Sequence, residues 1–112
     1  MKKVEAIIRI EKLEDVIETL RMNWINSVTI SDVFRSGDQT GYIKVYRDVE
    51  FNASLIPKKK VEVVIRDEDV DKVVEIITRM GKMGKMEDGI IVLDTVENAI
   101  RIRTGYCGDY AL

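Results

Sequence analysis

The stretch KKVEAIIRIEKLEDVIETLR, residues 2–21, returns later in the chain as KKVEVVIRDEDVDKVVEIIT, residues 59–78. Aligned without a gap, the two stretches are identical at nine of twenty positions. Two copies of one supersecondary unit are the simplest explanation of such a repeat. The chain has 112 residues, which is the length of one domain with its own hydrophobic core. The repeat therefore predicts how that one domain is organised.

Each copy begins with a strand-like run rich in β-branched residues and continues into an amphipathic helix. The predicted apolar stripe of the first helix is Leu13, Val16, Ile17, Leu20 and Trp24. That of the second helix is Val70, Val73, Val74 and Ile77. Asp67 is predicted to be the N-cap of the second helix, and Gly81 to stop it after its last turn.

A further strand follows each helix, SVTISDVF at 27–34 and GIIVLDTV at 89–96. Two βαβ units that share one antiparallel sheet, with both helices on one face, form a ferredoxin-like α+β sandwich of order βαββαβ. Both faces of VEVVI and IIVL are largely apolar, which predicts that the face without helices is buried by oligomerisation. In the tail, VENAI is predicted to be a short helix and IRIR an extended segment, with Arg101 and Arg103 on the same side.

Composition excludes several classes of function. Eighteen Lys and Arg against twenty Asp and Glu give a net charge of −2, so no basic field attracts nucleic acid. The absence of histidine removes the usual neutral-pH base, imidazole-dependent triads and most zinc sites, and no metal site is predicted. Cys107 is the only cysteine, so it is interpreted as a passive thiol in a reducing compartment.

The apolar runs of the sequence are too short for a membrane. None approaches the roughly 20 residues that cross a bilayer, and the apolar part of MKKVEAIIRI is too short for a signal peptide. We therefore expect a cytoplasmic protein without membrane insertion. Regulation is a better expectation than enzymatic activity.

Four segments are candidates for binding an anion. The turn GKMGKMEDGI, residues 81–90, has glycines whose amides could form an anion-binding nest, although a helix end and a turn by themselves explain these glycines better. RSGDQTG, residues 35–41, contains Gln39. Lys58, Lys59 and Lys60 open the strand of the second repeat, and by themselves they are better explained as a charged strand entrance. Arg101 and Arg103 could hold an anion or line a solvated edge. Together these segments favour a phosphate-bearing ligand.

The order and spacing of the segments resemble the PII signal-transduction family over the full chain. KKVEAIIRIEKLEDV is similar to the family's opening, GDQTGYIKVYRDVEF to its long T-loop and LIPKKKVEVVI to its strand entrance. GKMEDGIIVL is similar to its B-loop and VENAIRIRTG to its C-terminal motif. The resemblance implies one PII-like domain over residues 1–112, with the T-loop near 37–55, the B-loop near 82–90 and the C-terminal loop near 101–112.

The resemblance further implies a homotrimer that binds ATP or ADP between subunits and, together with Mg²⁺ and ATP, 2-oxoglutarate. The implied nucleotide contacts are Ile7, Gly37, Asp38, Gln39, Glu62, Val64, Glu87, Asp88, Gly89, Arg101 and Arg103. The implied Mg²⁺ and 2-oxoglutarate contacts are Gln39, Gly41 and Lys58. The implied contacts with a target, such as an ammonium transporter or a nitrogen-metabolism enzyme, are Tyr46, Arg47, Glu50 and Phe51.

The chain departs from the family pattern near the phosphates. Asp38 stands where the family has a basic residue, Met83 where it has threonine, Glu87 where it has glycine and Ile90 where it has lysine. Each charge reversal opposes a triphosphate by about 1 kcal/mol or more at close range. We therefore expect a weakened or altered nucleotide preference, toward ADP or AMP, or a loss of binding.

The T-loop lacks two modification sites found in relatives. Phe51 replaces a tyrosine that is uridylylated in many bacterial members, and Val49 replaces a serine that is phosphorylated in some. Neither side chain has a hydroxyl group, so covalent control at these two positions is excluded and small-molecule control remains.

Three alternatives stay open. The first is a divergent PII paralogue with weak or no ATP binding, tied to bicarbonate, metal or nitrogenase-linked control. The second is an acylphosphatase-type enzyme using Arg9 with Asn23 or Asn26, which is disfavoured because no glycine-rich phosphate loop follows the first strand. The third is an RNA-binding module, which is disfavoured because the strands lack stacking aromatic residues and the sheet is not basic.

Overall fold

The computed structural model describes residues 1–36, 43–46, 49–52 and 55–112, with backbone alone for 43–46, 49–52 and Met86. The strands are β1 Lys2–Ile8, β2 Thr29–Ser36, β3 Ile43–Tyr46, β4 Val49–Asn52, β5 Leu55–Ile65 and β6 Gly89–Thr95. The α-helices are α1 Leu13–Met22 and α2 Val70–Gly81. Short 3-10 turns lie at Ile10–Lys12, Asp67–Asp69, Met86–Asp88 and Gly108–Ala111.

The main sheet has four strands in the order β2-β5-β1-β6. All three neighbouring pairs are antiparallel. Strands β3 and β4 form a separate two-stranded antiparallel sheet, in which Tyr46 faces Val49. The predicted α+β fold of order βαββαβ is therefore confirmed, with a hairpin inserted between its two halves.

The hydrophobic core lies between the helices and one face of the sheet. Alternate residues of the two central strands are buried there: Val4, Ala6, Ile8, Val61, Val63 and Ile65. The helices bury Val16, Leu20, Val73, Ile76 and Ile77 against them. Each such side chain contributes about 1.5–3 kcal/mol when it leaves water, so this one layer of contacts holds the helices on the sheet.

The two copies of the repeat have the same local structure. The 3-10 turns begin at Ile10 and Asp67, and the helices begin at Leu13 and Val70, each pair 57 positions apart. The same separation relates the aligned sequences, so the repeat in sequence is also a repeat in structure.

Two predictions about the helices are wrong. Trp24 does not continue the stripe of α1, because it lies beyond the helix with φ of 67° and is 86% exposed. Asp67 does not cap α2, because α2 begins at Val70 and the Asp67 carboxylate instead accepts a hydrogen bond from the Met1 ammonium. Gly81 is the last residue of α2, as predicted.

The sheet face without helices is more charged than predicted. On β1 and β5 it carries Lys3, Glu5, Lys60 and Glu62 in ion pairs: Lys60 Nζ lies 3.1 Å from Glu62 and 3.6 Å from Glu5, and Lys3 Nζ lies 3.9 Å from Glu62. The prediction that both strand faces are largely apolar is therefore wrong at the centre of this face. Ile7, Val64 and the β6 residues Ile90 and Val92 surround the charges, since strand pairing sets them on the same side.

The tail also differs from its prediction. VENAI forms no helix, and residues 101–104 form a turn rather than an extended segment. The Arg101 amide donates to the Tyr106 carbonyl and the Gly105 amide donates to the Arg101 carbonyl, both at 2.8 Å. Gly105, with φ of 72°, makes this reversal possible. The alternation of IRIR therefore does not decide where the two arginines point.

Candidate functional site

The turn between α2 and β6 folds around one of its own carboxylates. Asp88 Oδ2 accepts hydrogen bonds from the amides of Met83 at 3.1 Å, Gly84 at 2.9 Å and Lys85 at 3.1 Å. Gly84 adopts φ of 77°, which brings consecutive amides into a nest of the predicted kind. The nest does bind an anion, and in this conformation that anion is Asp88.

Charge around Asp88 favours its ionised form. Burial acts to raise the pKa of Asp88, but the three amides and Arg9 outweigh burial and hold that pKa below its ordinary value. Arg9 Nε lies 3.4 Å from Asp88 Oδ1. The carboxylate therefore joins the turn to the end of β1, 79 residues away in sequence.

Gly89 allows the turn to enter the sheet. Its φ is 119°, and a Cβ atom at this position would lie 1.9 Å from the Ile7 carbonyl oxygen. No side chain fits at that distance, so only glycine lets β6 pair with β1 here. The close approach also fixes the residues just before it, Glu87 and Asp88.

Lys58 is the buried cation of the site. Its side chain is 3% exposed, and its Nζ donates a 2.8 Å hydrogen bond to the Glu87 carbonyl. Burial lowers the pKa of Lys58, and the charges of Arg9 and Arg35 lower it further, while the carboxylates of Glu87 and Glu11 oppose these effects. Lys58, Arg9 and the turn therefore form one electrostatic cluster.

Arg9 is the residue of this cluster that sequence reasoning missed, since it was considered only for the acylphosphatase alternative. Besides Asp88, its guanidinium lies 3.9 Å from Glu11, and its side chain is 18% exposed. Its place directly after β1 was visible in sequence. Its pairing with Asp88 was not, because that contact depends on how β6 lies beside β1.

The C-terminal arginines lie in a different environment. Arg101 and Arg103 are exposed, and Arg101 Nε donates a 3.1 Å hydrogen bond to the Ala111 carbonyl of the tail. Neither forms an ion pair within 4.0 Å among the described residues. Both guanidinium groups are therefore accessible from outside the chain.

Six of the predicted nucleotide contacts that the structure describes line pockets, in two groups. Ile7, Asp88 and Gly89 line a pocket of about 270 Å³. Glu62, Val64 and Arg101 line a pocket of about 180 Å³, and Val64 and Arg101 also line a neighbouring pocket of about 410 Å³. Ile7 pairs with Lys60, whereas Val64 pairs with Lys3, so the two groups lie about 13 Å apart along β1 at roughly 3.3 Å per residue. Among the described residues, no single pocket holds all of the predicted contacts.

Several predicted site residues cannot be placed. Gly37, Asp38, Gln39, Gly41 and Arg47 lie outside the described residues. For the other predicted partner contacts, Tyr46, Glu50 and Phe51, the structure describes only the backbone, in β3 and β4. Within the described ranges, no three His, Cys, Asp or Glu residues are grouped as a metal site. None of the described helices is long and apolar enough to cross a membrane.

Comparison with known proteins gives one family. The family model "Nitrogen regulatory protein P-II" matches residues 1–106. Nitrogen regulatory protein P-II 2 of Methanothermobacter thermautotrophicus is 41% identical over 112 residues, which cover all of this chain and 97% of that protein. Nitrogen regulatory protein P-II of Haemophilus influenzae is 46% identical over 105 residues, 94% of each chain. The P-II protein of Rhizobium meliloti is 41% identical over 108 residues, 96% of each chain.

Proposed function

The chain belongs to the P-II family of nitrogen regulatory proteins, and from this premise we propose that it is a trimeric sensor of adenine nucleotide. Its class is settled by the family: it is a signalling protein of nitrogen regulation and not an enzyme. The proposal concerns its ligands, its assembly and its output. We infer that copies of the chain pack through the sheet face without helices and hold the nucleotide between them.

The separation of the predicted contacts into two groups carries the proposal. One group, around Asp88 and Gly89, lines a pocket of about 270 Å³, and the other, around Val64 and Arg101, lines pockets of about 180 and 410 Å³. The sheet face between the two groups carries apolar residues around ion-paired charges. A second copy on this face would bring the two groups of contacts together across the boundary, where exposed Arg101 and Arg103 would reach phosphates.

The turn before β6 supplies the other end of the proposed site. Lys58 has a buried ammonium that can donate three hydrogen bonds, and within the described part of the chain it donates one. We assign it, with Gln39 and Gly41, to Mg²⁺-linked binding of 2-oxoglutarate, as the family resemblance implies. Arg9 and Asp88 hold the turn in place. Ile7, Glu62 and Val64 are assigned to the base and ribose.

The output of the sensor is assigned to the T-loop at 37–55. Ligand state would set its conformation, and Tyr46, Arg47, Glu50 and Phe51 would contact a target such as an ammonium transporter or a nitrogen-metabolism enzyme in the cytoplasm. Because Phe51 and Val49 carry no hydroxyl group, they cannot be modified as in the relatives. Ligand binding is the means of control that remains.

Calorimetry with ATP, ADP, AMP and 2-oxoglutarate tests the proposal. We expect micromolar binding of at least one nucleotide and at least ten-fold weaker binding by Arg101→Ala and Arg103→Ala. Arg79→Ala is the matched control, because Arg79 is exposed on α2 and its 3.5 Å ion pair with Glu75 lies within that helix. Size-exclusion chromatography with light scattering should give three times the mass of the chain.

A second candidate is the divergent paralogue that responds to another small molecule. Glu87 and Ile90, which flank Asp88 and Gly89 where the family has glycine and lysine, favour it. Binding of none of the three nucleotides would contradict the sensor proposal and leave this candidate. Bicarbonate titration of the same sample would then be its direct test.

A further inference from the structure

We propose that Glu87 is a charge filter for the proposed nucleotide site, which discriminates against ligands in proportion to their negative charge. The inference rests on the proposed function and adds the residue that sets its selectivity. It assigns to Glu87 the role of a specificity-determining residue. The expected ligand is an adenine nucleotide with few phosphates.

Glu87 is held against the cations of the site by its own backbone. Its carbonyl accepts the 2.8 Å hydrogen bond from Lys58 Nζ. Among the described residues, no carboxylate oxygen lies within 4.0 Å of that ammonium. The charge of the Glu87 carboxylate nevertheless acts on Lys58, since it raises the pKa of that lysine against the effect of burial. A phosphate group that approaches this turn therefore experiences the negative charge of Glu87.

The turn holds the Glu87 backbone in place. On its C-terminal side, the Asp88 carboxylate accepts hydrogen bonds from three amides and lies against Arg9. Gly89 follows, and strand pairing holds it against the Ile7 carbonyl. The Glu87 carbonyl itself accepts the hydrogen bond from Lys58. Displacing the Glu87 backbone would break several of these contacts together, so the negative charge of its side chain stays near this turn.

The neighbouring carboxylates reinforce the filter. Asp88 stays ionised through its amide donors, and Glu11 lies 3.9 Å from Arg9. The cationic charge of Lys58 and Arg9 is therefore already compensated in part by chain carboxylates. A ligand with four negative charges loses more from this arrangement than one with two, because each added charge is repelled.

The experiment compares wild type with Glu87→Gln, using ATP, ADP and AMP in calorimetry without Mg²⁺ and at fixed ionic strength. Leaving Mg²⁺ out keeps the charge difference between the three nucleotides. Glutamine keeps the shape of glutamate and removes its charge. We expect ATP to bind about ten-fold more tightly to the variant, which corresponds to about 1.4 kcal/mol. ADP should gain less and AMP least, because the Glu87 charge repels each added charge of the ligand.

Two control variants make the same chemical change elsewhere. Glu75→Gln removes a carboxylate from the exposed side of α2, so the ratio of ATP to AMP affinity should not change. Glu11→Gln removes a carboxylate next to Arg9 but outside the turn, so its effect on the ratio should be smaller than that of Glu87→Gln. Thermal unfolding of each variant checks that the fold is retained.

An equal change for the three nucleotides, or no change, in a Glu87→Gln protein that still binds them would overturn the inference and leave the nucleotide sensor intact. An equal shift in the ratio with Glu75→Gln would also overturn it, since net charge alone would then be responsible. Absence of binding of all three nucleotides to both wild type and Glu87→Gln would overturn the proposed nucleotide function itself. The two failures are therefore distinguishable.

Discussion

In the two copies of the repeat, the segments before the helices have the same structure, whereas the segments after the helices differ. In both, a strand ends in isoleucine, an arginine follows, a 3-10 turn comes next and the helix begins. After α1 the chain passes through exposed Trp24 into β2. After α2 it forms the nest closed by Asp88 before β6.

The equivalent arginines, Arg9 and Arg66, show what this difference does. Arg9 lies against Asp88 and Glu11. Arg66 is exposed, and none of the described carboxylates lies within 4.0 Å of its guanidinium. An arginine in the same local structure becomes part of a site only where the turn after the helix of the other copy supplies a carboxylate. In this protein the repeat builds the scaffold and the connections supply the chemistry.

Gly89→Ala should disrupt the segment after α2 most severely. The added Cβ would lie 1.9 Å from the Ile7 carbonyl at a positive φ, so the β1–β6 pairing must shift. We expect a loss of about 3 kcal/mol or more in the free energy of unfolding, measured by urea denaturation.

Gly81→Ala is the matched control for that variant. A Cβ at Gly81 would meet Ile8 Cγ2 at 3.7 Å, which is ordinary contact, so its effect should stay within about 1 kcal/mol. Equal losses for both variants would contradict the close-approach argument.

Asp88→Asn should destabilise the same segment after α2, and the loss of stability should depend on pH. The folded pKa of Asp88 is below its ordinary value, so its stabilising effect is present above the unfolded pKa of about 3.9 and is lost as the pH falls through the folded pKa. Thermal unfolding should therefore show a lower midpoint than wild type at pH 7 and a smaller difference at pH 3. A constant difference between the two pH values would show that the Asp88 charge is not responsible.

Arg9→Ala and Arg66→Ala compare the two copies directly. Removing Arg9 takes a charged partner from Asp88, and we expect a loss of about 1–2 kcal/mol in the free energy of unfolding. Removing Arg66 should change it by no more than about 0.5 kcal/mol, as for an ordinary surface residue. Urea denaturation of both variants under the same conditions measures the difference between their free energies of unfolding. Equal losses would contradict the distinct roles of Arg9 and Arg66.

Trp24→Gly should stabilise the segment after α1. Trp24 has φ of 67° and an exposed indole, and a left-handed conformation costs a residue with a Cβ about 1–2 kcal/mol. Part of this gain is offset by the larger entropy of glycine in the unfolded chain, so we expect a gain of about 0.5–1 kcal/mol in the free energy of unfolding.

Asn23→Gly is the control of opposite sign. Asn23 has a negative φ of −104°, and its side chain donates to the Thr19 carbonyl at 2.8 Å. Glycine there should destabilise the protein in the same denaturation assay. A gain for both variants would mean that helix-end flexibility, and not the backbone conformation of Trp24, sets the effect.

Lys58→Met should have a small effect on stability and a large effect on binding. It gives the second copy the residue that the first has at the aligned position, Met1. The loss of the hydrogen bond to Glu87, about 1 kcal/mol, is offset by no longer burying an ammonium, so the free energy of unfolding should change by less than about 1 kcal/mol. Calorimetry should show lost 2-oxoglutarate binding, and unaltered binding would remove Lys58 from the site.

Much of the scaffold followed from local patterns. The repeat, the order of strands and helices and the end of α2 at Gly81 were predicted from periodicity and glycine placement. Ile76 was missed because it lies beside the predicted stripe and is buried only through the packing of α2 on the sheet. Trp24 and Asp67 were misassigned because an apolar residue at the right spacing and an acidic residue before a helix can each serve another role.

The sequence by itself determined the fold class, the family and the residues able to bind an anion, because these depend on spacing along the chain. The tertiary structure decided which of them act together. Asp88 fills the nest, Lys58 is buried against Glu87, and Arg9 rather than Arg66 joins the cluster, because these contacts connect residues far apart in sequence. These long-range contacts depend on strand pairing and on the glycine at 89, and no local sequence pattern predicts them.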